Sequence, residues 1–99
     1  MTSVYLERSG DRYTVHCKGH AVGSTEVCAA VSCLVCTLAN WLKMSGANIV
    51  KEQIKEAEAL ICFENEKTAF DMVCTGFLFL EKRHSEYIKV NTKNILFTG

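Results

Sequence analysis

Two residues carry the side chains of a nucleophile and a general base at a short spacing: Cys28 and, eight positions before it, His20. A cysteine thiolate attacks a carbonyl carbon, and an imidazole takes the thiol proton and later protonates the leaving amine. The pair therefore has the groups that a Cys-His dyad requires. Spacing alone leaves the role open, because a cysteine and a histidine eight positions apart are more often unrelated.

The position of Cys28 favours the reactive form of its thiol. It lies in the first turn of a predicted helix that begins near Ser24 or Thr25, where the dipole is positive and backbone N–H groups lack partners. Those N–H groups are candidates for an oxyanion hole. The carboxylate of Glu26 disfavours a nearby thiolate, whereas a protonated His20 would stabilise the thiolate. The sequence does not decide which effect is larger.

Ser32 lies one helical turn after Cys28 on the same face, where its hydroxyl is placed to hydrogen-bond near the site. The alternative is a hydrogen bond from Ser32 to its own helix backbone. The other two histidines have ordinary interpretations, His16 as a solvated strand residue and His84 as a cation near a helix C-terminus.

The elements that must position these residues follow from the spacing of apolar side chains. The predicted order is strand, strand, helix, strand, helix, strand, over residues 4–8, 12–19, 24 or 25 to about 44, 57–64, 67 to about 84, and 87–91. Residues 48–55 are ambiguous between a loop and a short helix. The ββαβαβ order predicts a single α+β (α/β) domain over residues 1–99, a two-layer sandwich of two helices on a mixed sheet of about four strands.

The second predicted helix is apolar on almost all sides. Its predicted core face consists of Ala69, Met72, Val73, Gly76, Phe77 and Leu80, and a further apolar face of Phe70, Cys74, Leu78 and Phe79. A chain of 99 residues can hardly cover both faces, which predicts a homodimer. The alternative is that the first helix covers the extra face within one monomer.

Charge and composition exclude several classes of function. Eleven basic residues balance eleven acidic ones, so the chain lacks the basic surface expected of a nucleic-acid binder or a polybasic membrane anchor. No uninterrupted apolar run reaches the roughly 18 residues of a membrane span, and residues 1–12 resemble neither a signal nor a transit peptide. Neither a membrane nor a nucleic acid is expected as a partner.

The six cysteines are interpreted as reduced thiols of a cytoplasmic protein. Cys33 and Cys36 have the spacing of half a zinc site, and His16, Cys17 and His20 lie upstream as further candidate ligands. Cys33 and Cys36 lie within a predicted helix, however, rather than in a turn. No metal is therefore expected. All cysteines other than Cys28 are interpreted as apolar core side chains.

The two motifs around His20 and Cys28 resemble the ribosomal-processing cysteine protease family, Prp. Gly19-His20-Ala21 ends a predicted strand, and the stretch Val-Cys-Ala-Ala-Val-Ser over residues 27–32 opens a long helix, as in that family. The chain departs from the family in having a shorter loop between the motifs and Thr25 in place of an aspartate. The shorter loop bears on the range of substrates.

The resemblance implies a cysteine endopeptidase with Cys28 as nucleophile, His20 as catalytic histidine and Ser32 in support. The implied substrate is a large-subunit ribosomal protein with an N-terminal extension, cut after a Phe-Phe-like sequence, or a related phage protein. It also implies a cytoplasmic homodimer without a metal or organic cofactor. The alternative from a different class is a non-catalytic, homodimeric ribosome-associated or assembly module of the same fold.

Overall fold

The computed structural model describes residues 1–95 as two layers, in which two helices cover one face of a five-stranded sheet. Residues 96–99, the end of the predicted domain, lie outside the described residues. The elements are β1 (Thr2–Ser9), β2 (Arg12–Lys18), α1 (Thr25–Ser45), β3 (Asn48–Lys55), β4 (Glu58–Glu64), α2 (Lys67–Arg83) and β5 (Ile88–Lys93).

The strands follow the order β3-β4-β2-β1-β5 across the sheet. The pair β1–β5 is parallel, while β1–β2, β2–β4 and β3–β4 are antiparallel. The predicted α+β architecture with a mixed sheet and two helices is confirmed, with five strands instead of about four. The helix α1 connects β2 to β3, and α2 connects β4 to β5.

The additional strand is β3, for which the sequence suggested a loop or a short helix. Its two isoleucines, Ile49 and Ile54, are five positions apart, which fits neither strand alternation nor one helical face. A β-bulge between Ile49 and Lys51 adds one residue to the strand. Ile49 therefore pairs with Phe63, Ile54 pairs with Ala59, and both face the helical layer.

The helix α1 has a capping residue of the expected type at each end, a serine before its first turn and a glycine after its last turn. The Ser24 hydroxyl accepts the N–H of Val27 at 3.2 Å, and Gly46 ends the helix in the left-handed conformation at φ 72°. By length and composition, α1 is also a helix that could cross a membrane, although polar residues interrupt its apolar ones. Core helices of water-soluble proteins pass the same test, and α1 buries Val35 and Leu42 in the core.

The core face of α2 differs from its prediction. The sequence predicts Met72 in the core, but this residue is 69% exposed, whereas Phe70 and Cys74, predicted on a second face, are fully buried. The reason is an aromatic cluster in which the Phe70 ring lies 4.8 Å from Tyr13 and 6.2 Å from Phe63, measured between ring centroids. This cluster turns the Phe70 side of α2 toward the sheet.

Candidate active site

A cleft at the end of β2 contains all three residues that the sequence selected. It has a volume of about 130 Å³ and lies between the first half of α1 and the β3–β4 hairpin. Its lining comprises Thr2, Cys17, Gly19, His20, Cys28, Val31, Ser32, Val35, Cys36, Ile54, Lys55, Ala57, Glu58 and Ala59. The fold therefore brings the predicted nucleophile, base and supporting hydroxyl to one site.

The position of His20 depends on the glycine before it. Gly19 ends β2 at φ 87°, and a Cβ atom at this residue would lie 2.6 Å from the carbonyl oxygen of Met1. Only glycine fits such a conformation and such a close approach. The N–H of Gly19 donates to the carbonyl oxygen of Ala57 at 2.8 Å, which ties this turn to the β3–β4 hairpin. His20 follows with an exposed side chain.

Cys28 is the fourth residue of α1 and is partly buried. Its backbone N–H donates to the carbonyl oxygen of Ser24 at 3.3 Å, and the N–H of Val27 is used by the Ser24 side chain. Within residues 1–95, the N–H groups of Thr25 and Glu26 make no hydrogen bond. The unpaired donors at this helix start are therefore those of the first two residues, and not that of Cys28.

The thiol of Cys28 donates to the carbonyl oxygen of Ala21 at 3.7 Å. The hydrogen bonds among the described residues include none between Cys28 and His20. The two side chains share the cleft without the direct contact of a formed dyad, so the Cys-His dyad stays a prediction. Catalytic hydrogen bonds are often long or poorly aligned before substrate binds, so this arrangement does not by itself exclude catalysis.

Ser32 is exposed and lines the cleft one turn beyond Cys28. Its hydroxyl makes no hydrogen bond among the described residues, including the helix backbone, where serine hydroxyls often bond. The hydroxyl is therefore available to a bound molecule. The supporting role that the resemblance implies for Ser32 is still a prediction.

The second wall of the cleft was missed by sequence reasoning. It comes from the β3–β4 hairpin, with Ile54, Lys55, Ala57 and Glu58 at the site. No motif identifies these residues. The strand that carries Ile54 was not predicted, because its bulge interrupts the alternation of side chains. Thr2 was missed as well, because a threonine at the start of a strand has no chemical signature.

The cysteines differ in burial, with Cys28 and Cys62 partly buried, and the prediction of a core role is wrong for two of the six. Cys33 and Cys36 are exposed on α1, while Cys17 and Cys74 are buried. Burial raises the pKa of the Cys17 and Cys74 thiols to about 12, and for Cys74 the nearby Asp71 charge acts in the same direction.

The residues of the zinc alternative do not converge. Neighbouring strand residues point to opposite faces, so Cys17 faces the helices and His16 lies on the other face of the sheet. Among residues 1–95, no group of three or more histidine, cysteine, aspartate or glutamate side chains could hold a metal ion.

His16 has a partner that the sequence did not reveal. Its Nε2 atom lies 3.0 Å from Oε2 of Glu58, the first residue of β4. The hydrogen bond with His16 lowers the pKa of the Glu58 carboxyl below its ordinary value, and the positive charges of Lys18 and Lys55 act in the same direction. The interaction fixes β4 to β2 next to the hairpin that forms the cleft wall.

Comparison with known proteins decides the family. The family model described as cysteine protease Prp matches residues 1–89, which is most of the chain. The chain belongs to the Prp cysteine protease family. The resemblance that the two motifs around His20 and Cys28 carry is thereby confirmed. None of the curated proteins compared with the chain is similar enough in sequence to count as a relative.

Solved structures share the Prp fold with this chain. The essential ribosomal processing protease Prp from S. aureus, in complex with a covalently linked product peptide, superimposes with a TM-score of 0.82 at 17% identity. The same protease in complex with a substrate peptide superimposes with a TM-score of 0.76 at 15% identity. A hypothetical protein from Staphylococcus aureus superimposes with a TM-score of 0.64 at 17% identity. Each match covers 94% of this chain and 100% of the other.

Proposed function

We propose that this Prp family member is a cysteine endopeptidase that removes the N-terminal extension of a large-subunit ribosomal protein or of a related phage protein. The observation that carries the proposal is that His20 and Cys28 line one cleft at the start of a helix. The S. aureus protease of the same fold has been seen with a substrate peptide and with a covalently linked product peptide. That protease is a ribosomal processing enzyme, which supports a ribosomal substrate here.

The proposed reaction proceeds through an acyl-enzyme. His20 takes the proton of the Cys28 thiol, the sulfur attacks the scissile carbonyl carbon, and the carbonyl electrons move onto oxygen. Collapse of this intermediate breaks the C–N bond, and the histidine gives its proton to the leaving amine. Water then attacks the thioester with His20 as base, which releases the acid product and restores the thiol.

The donors proposed for the negative oxygen of the tetrahedral intermediate are two backbone N–H groups in the same helical turn as Cys28. The N–H groups of Thr25 and Glu26 are unpaired within the described part of the chain and belong to the positive end of α1. Donors already in place when the charge develops stabilise a transition state more than mobile ones. The Ser32 hydroxyl is available to a substrate on the same side of the helix.

A local rearrangement must precede the chemistry. The Cys28 thiol has to leave the carbonyl oxygen of Ala21, a sulfur contact of 3.7 Å. A thiol is a weak donor, and breaking one such bond costs about 1 kcal/mol or less. We expect the imidazole of His20, which is exposed and lines the same cleft, to turn toward the sulfur.

The cleft supports recognition of an apolar side chain before the cut. Part of its lining is apolar and includes Val31, Val35, Ile54 and Ala59. The volume of about 130 Å³ is close to that of an apolar cavity of about 150 Å³ known to hold benzene. One phenylalanine or leucine side chain fits such a space, in agreement with a Phe-Phe-like cleavage sequence.

The decisive experiment is intact-mass spectrometry of the extended ribosomal protein after incubation with the purified enzyme. Wild-type enzyme should yield one cut after an apolar residue, and both Cys28→Ala and His20→Ala should abolish it. Cys33→Ala is the matched control, because this exposed thiol lies on the same helix outside the cleft. Normal cleavage by Cys28→Ala would disprove the proposed mechanism.

The alternative function is a non-catalytic ribosome-associated or assembly module. The bond from Cys28 to Ala21, which occupies the thiol, is the feature that favours it. If the wild-type protein leaves the extended protein and its phage counterpart intact but co-sediments with ribosomal particles, the module is the correct function. Cleavage that depends on Cys28 excludes it.

We also propose a homodimer formed through the outer surface of the helical layer. Met72 and Phe79 on α2 are 69% and 57% exposed, and Trp41 on α1 is 48% exposed. A groove of about 430 Å³ between the helices is lined mostly by apolar side chains, including Leu34, Trp41 and Met72. Met72→Glu should convert a dimer into a monomer in analytical ultracentrifugation, whereas Val50→Glu on β3 should not. A wild-type monomer at high concentration would contradict the proposal.

A cytoplasmic location is proposed from the state of the thiols. All six cysteines are free, as expected in a compartment that keeps thiols reduced. Cell fractionation followed by immunoblotting should recover the protein with soluble ribosomes and enzymes. Recovery with membranes or in the medium would disprove the location.

A further inference from the structure

Thr2 is a buried polar residue at the base of the candidate active site. With 3% exposure it is the one buried residue among those described whose side chain is neither aliphatic, aromatic nor a thiol, and it lines the cleft with His20 and Cys28. Its backbone N–H donates to the carbonyl oxygen of Tyr87 at 2.9 Å, which fixes the start of β1. The side chain therefore projects from a firmly held backbone.

The hydroxyl of Thr2 donates to the carbonyl oxygen of Gly19 at 3.4 Å. That oxygen belongs to the peptide group joining Gly19 to His20. The N–H of Gly19 donates on its other side to the carbonyl oxygen of Ala57 at 2.8 Å. Gly19 is thus held through its N–H by the hairpin and through its C=O by β1.

Burial of the Thr2 hydroxyl is unfavourable unless the hydroxyl is hydrogen-bonded. Valine has nearly the same shape and would fill the site without that cost. The only side-chain hydrogen bond of Thr2 is the one to the peptide that carries His20. The hydroxyl therefore restricts the orientation of this peptide rather than serving packing alone.

We propose that Thr2 is a positioning residue, which holds the Gly19–His20 peptide so that the imidazole is directed at the Cys28 thiol when substrate binds. The inference rests on the proposed endopeptidase function. Thr2 acts through His20 and does not itself take part in the reaction. The loss of one long, neutral hydrogen bond should lower the rate by about fivefold.

The kinetic test compares Thr2→Val, which removes the hydroxyl, with Thr2→Ser, which keeps it. Cleavage of a peptide substrate by Thr2→Val should show kcat reduced about fivefold and KM within twofold of wild type. Thr2→Ser should recover most of this loss. The matched control is Thr14→Val, because the Thr14 hydroxyl contacts Cys62 Sγ at 3.6 Å outside the cleft and its removal should leave kcat unchanged.

A second measurement does not depend on activity. The backbone ¹⁵N order parameter of His20 should fall in Thr2→Val, stay near the wild-type value in Thr2→Ser and be unchanged in Thr14→Val. An unaltered order parameter in Thr2→Val disproves the positioning role, whether or not the protein cleaves a peptide.

The two proposals can fail separately. An enzyme that never cleaves the extended protein disproves the proposed function, and the order parameter still decides whether Thr2 restrains the His20 backbone. An active enzyme with normal kcat in Thr2→Val disproves the positioning role alone. Equal losses in Thr2→Val and Thr2→Ser would assign the effect to packing and would also overturn the inference.

Discussion

The N–H of Gly19 donates to the carbonyl oxygen of Ala57 at 2.8 Å, and this bond ties the β3–β4 hairpin to the residue before His20. Ala57 makes the bond from a left-handed conformation with φ 62°. A side chain with a Cβ atom costs about 1–2 kcal/mol in this conformation. The cleft wall is therefore held by a residue whose own backbone is unfavourable.

Replacement of Ala57 by glycine should stabilise the protein. Relief of the left-handed strain, less the entropy that glycine loses on folding, should raise the free energy of unfolding by about 0.5–1 kcal/mol. Chemical denaturation by urea measures the change. Ala59→Gly, in the adjoining strand, is the control and should lower stability. A decrease in Ala57→Gly would show that the conformation carries no strain.

The reactivity of the thiols should follow their burial. In the folded protein, iodoacetamide should modify Cys28 and the exposed Cys33 and Cys36, with Cys28 the fastest if His20 activates it. Cys17 and Cys74 should not react until the protein unfolds, because burial raises the pKa of each thiol to about 12. Peptide mapping by mass spectrometry identifies the modified residues.

The control for this experiment is His20→Ala, which should bring the rate at Cys28 down to that of Cys33. Equal rates at the two thiols in the wild-type protein would contradict activation by His20. Early labelling of Cys17 would contradict the packing beneath the cleft.

Packing between α1 and α2 depends on Gly76. A Cβ atom at Gly76 would lie 2.7 Å from Cδ2 of Leu34. Gly76→Ala should therefore lower the free energy of unfolding by about 1 kcal/mol, because overpacking outweighs the helix propensity gained by alanine. Thermal unfolding measures the loss as a decrease in Tm.

A double-mutant cycle checks the cause. Leu34→Ala removes the clashing methyl groups, so Gly76→Ala should cost at least about 1 kcal/mol less in that background than in the wild type. Strictly additive effects would mean that the two residues do not oppose each other across the helix interface.

The pair of His16 and Glu58 should make stability depend on pH in the acid range. The pKa of Glu58 is lower in the folded protein than its ordinary value of 4.5, so the folded state favours the carboxylate. The stabilisation is present above pH 4.5 and is lost as the pH falls through the lower folded value. Glu58→Gln should reduce Tm at neutral pH, and the difference from wild type should shrink in acid.

The matched control for this pair is Glu56→Gln in the neighbouring turn, whose carboxylate makes no ion pair among the described residues. Its Tm should follow the wild-type curve at every pH. A difference between Glu58→Gln and wild type that is the same at all pH values would contradict the assignment to ionisation.

Ile54 should limit the size of the side chain that the cleft accepts. It faces the cleft from β3, and Ile54→Ala enlarges the pocket by most of an aliphatic side chain. The ratio of kcat/KM for a peptide with phenylalanine before the cut to one with alanine should change by about tenfold. Val50→Ala, on the same strand outside the cleft, should leave the ratio unchanged. An unaltered ratio in Ile54→Ala would show that Ile54 does not limit the size of the accepted side chain.

Much of the fold and of the candidate site follows from the sequence by itself. Helix ends depend on neighbouring residues such as Ser24 and Gly46, and regular alternation identifies β2, so these elements are where local patterns place them. The two motifs around His20 and Cys28 identify the family and the two residues whose side chains could act as base and nucleophile. Such features are local in the chain, so reading them does not require the fold.

Tertiary structure decided what local patterns could not. The bulge in β3 lets Ile49 and Ile54 face one side, and it becomes recognisable only against the register of β4. The aromatic cluster around Phe70 selects the core face of α2, since an almost uniformly apolar helix does not specify its own orientation. The hairpin wall and the buried hydroxyl of Thr2 reach the candidate active site from distant parts of the chain, because contacts between remote segments arise only when the sheet assembles.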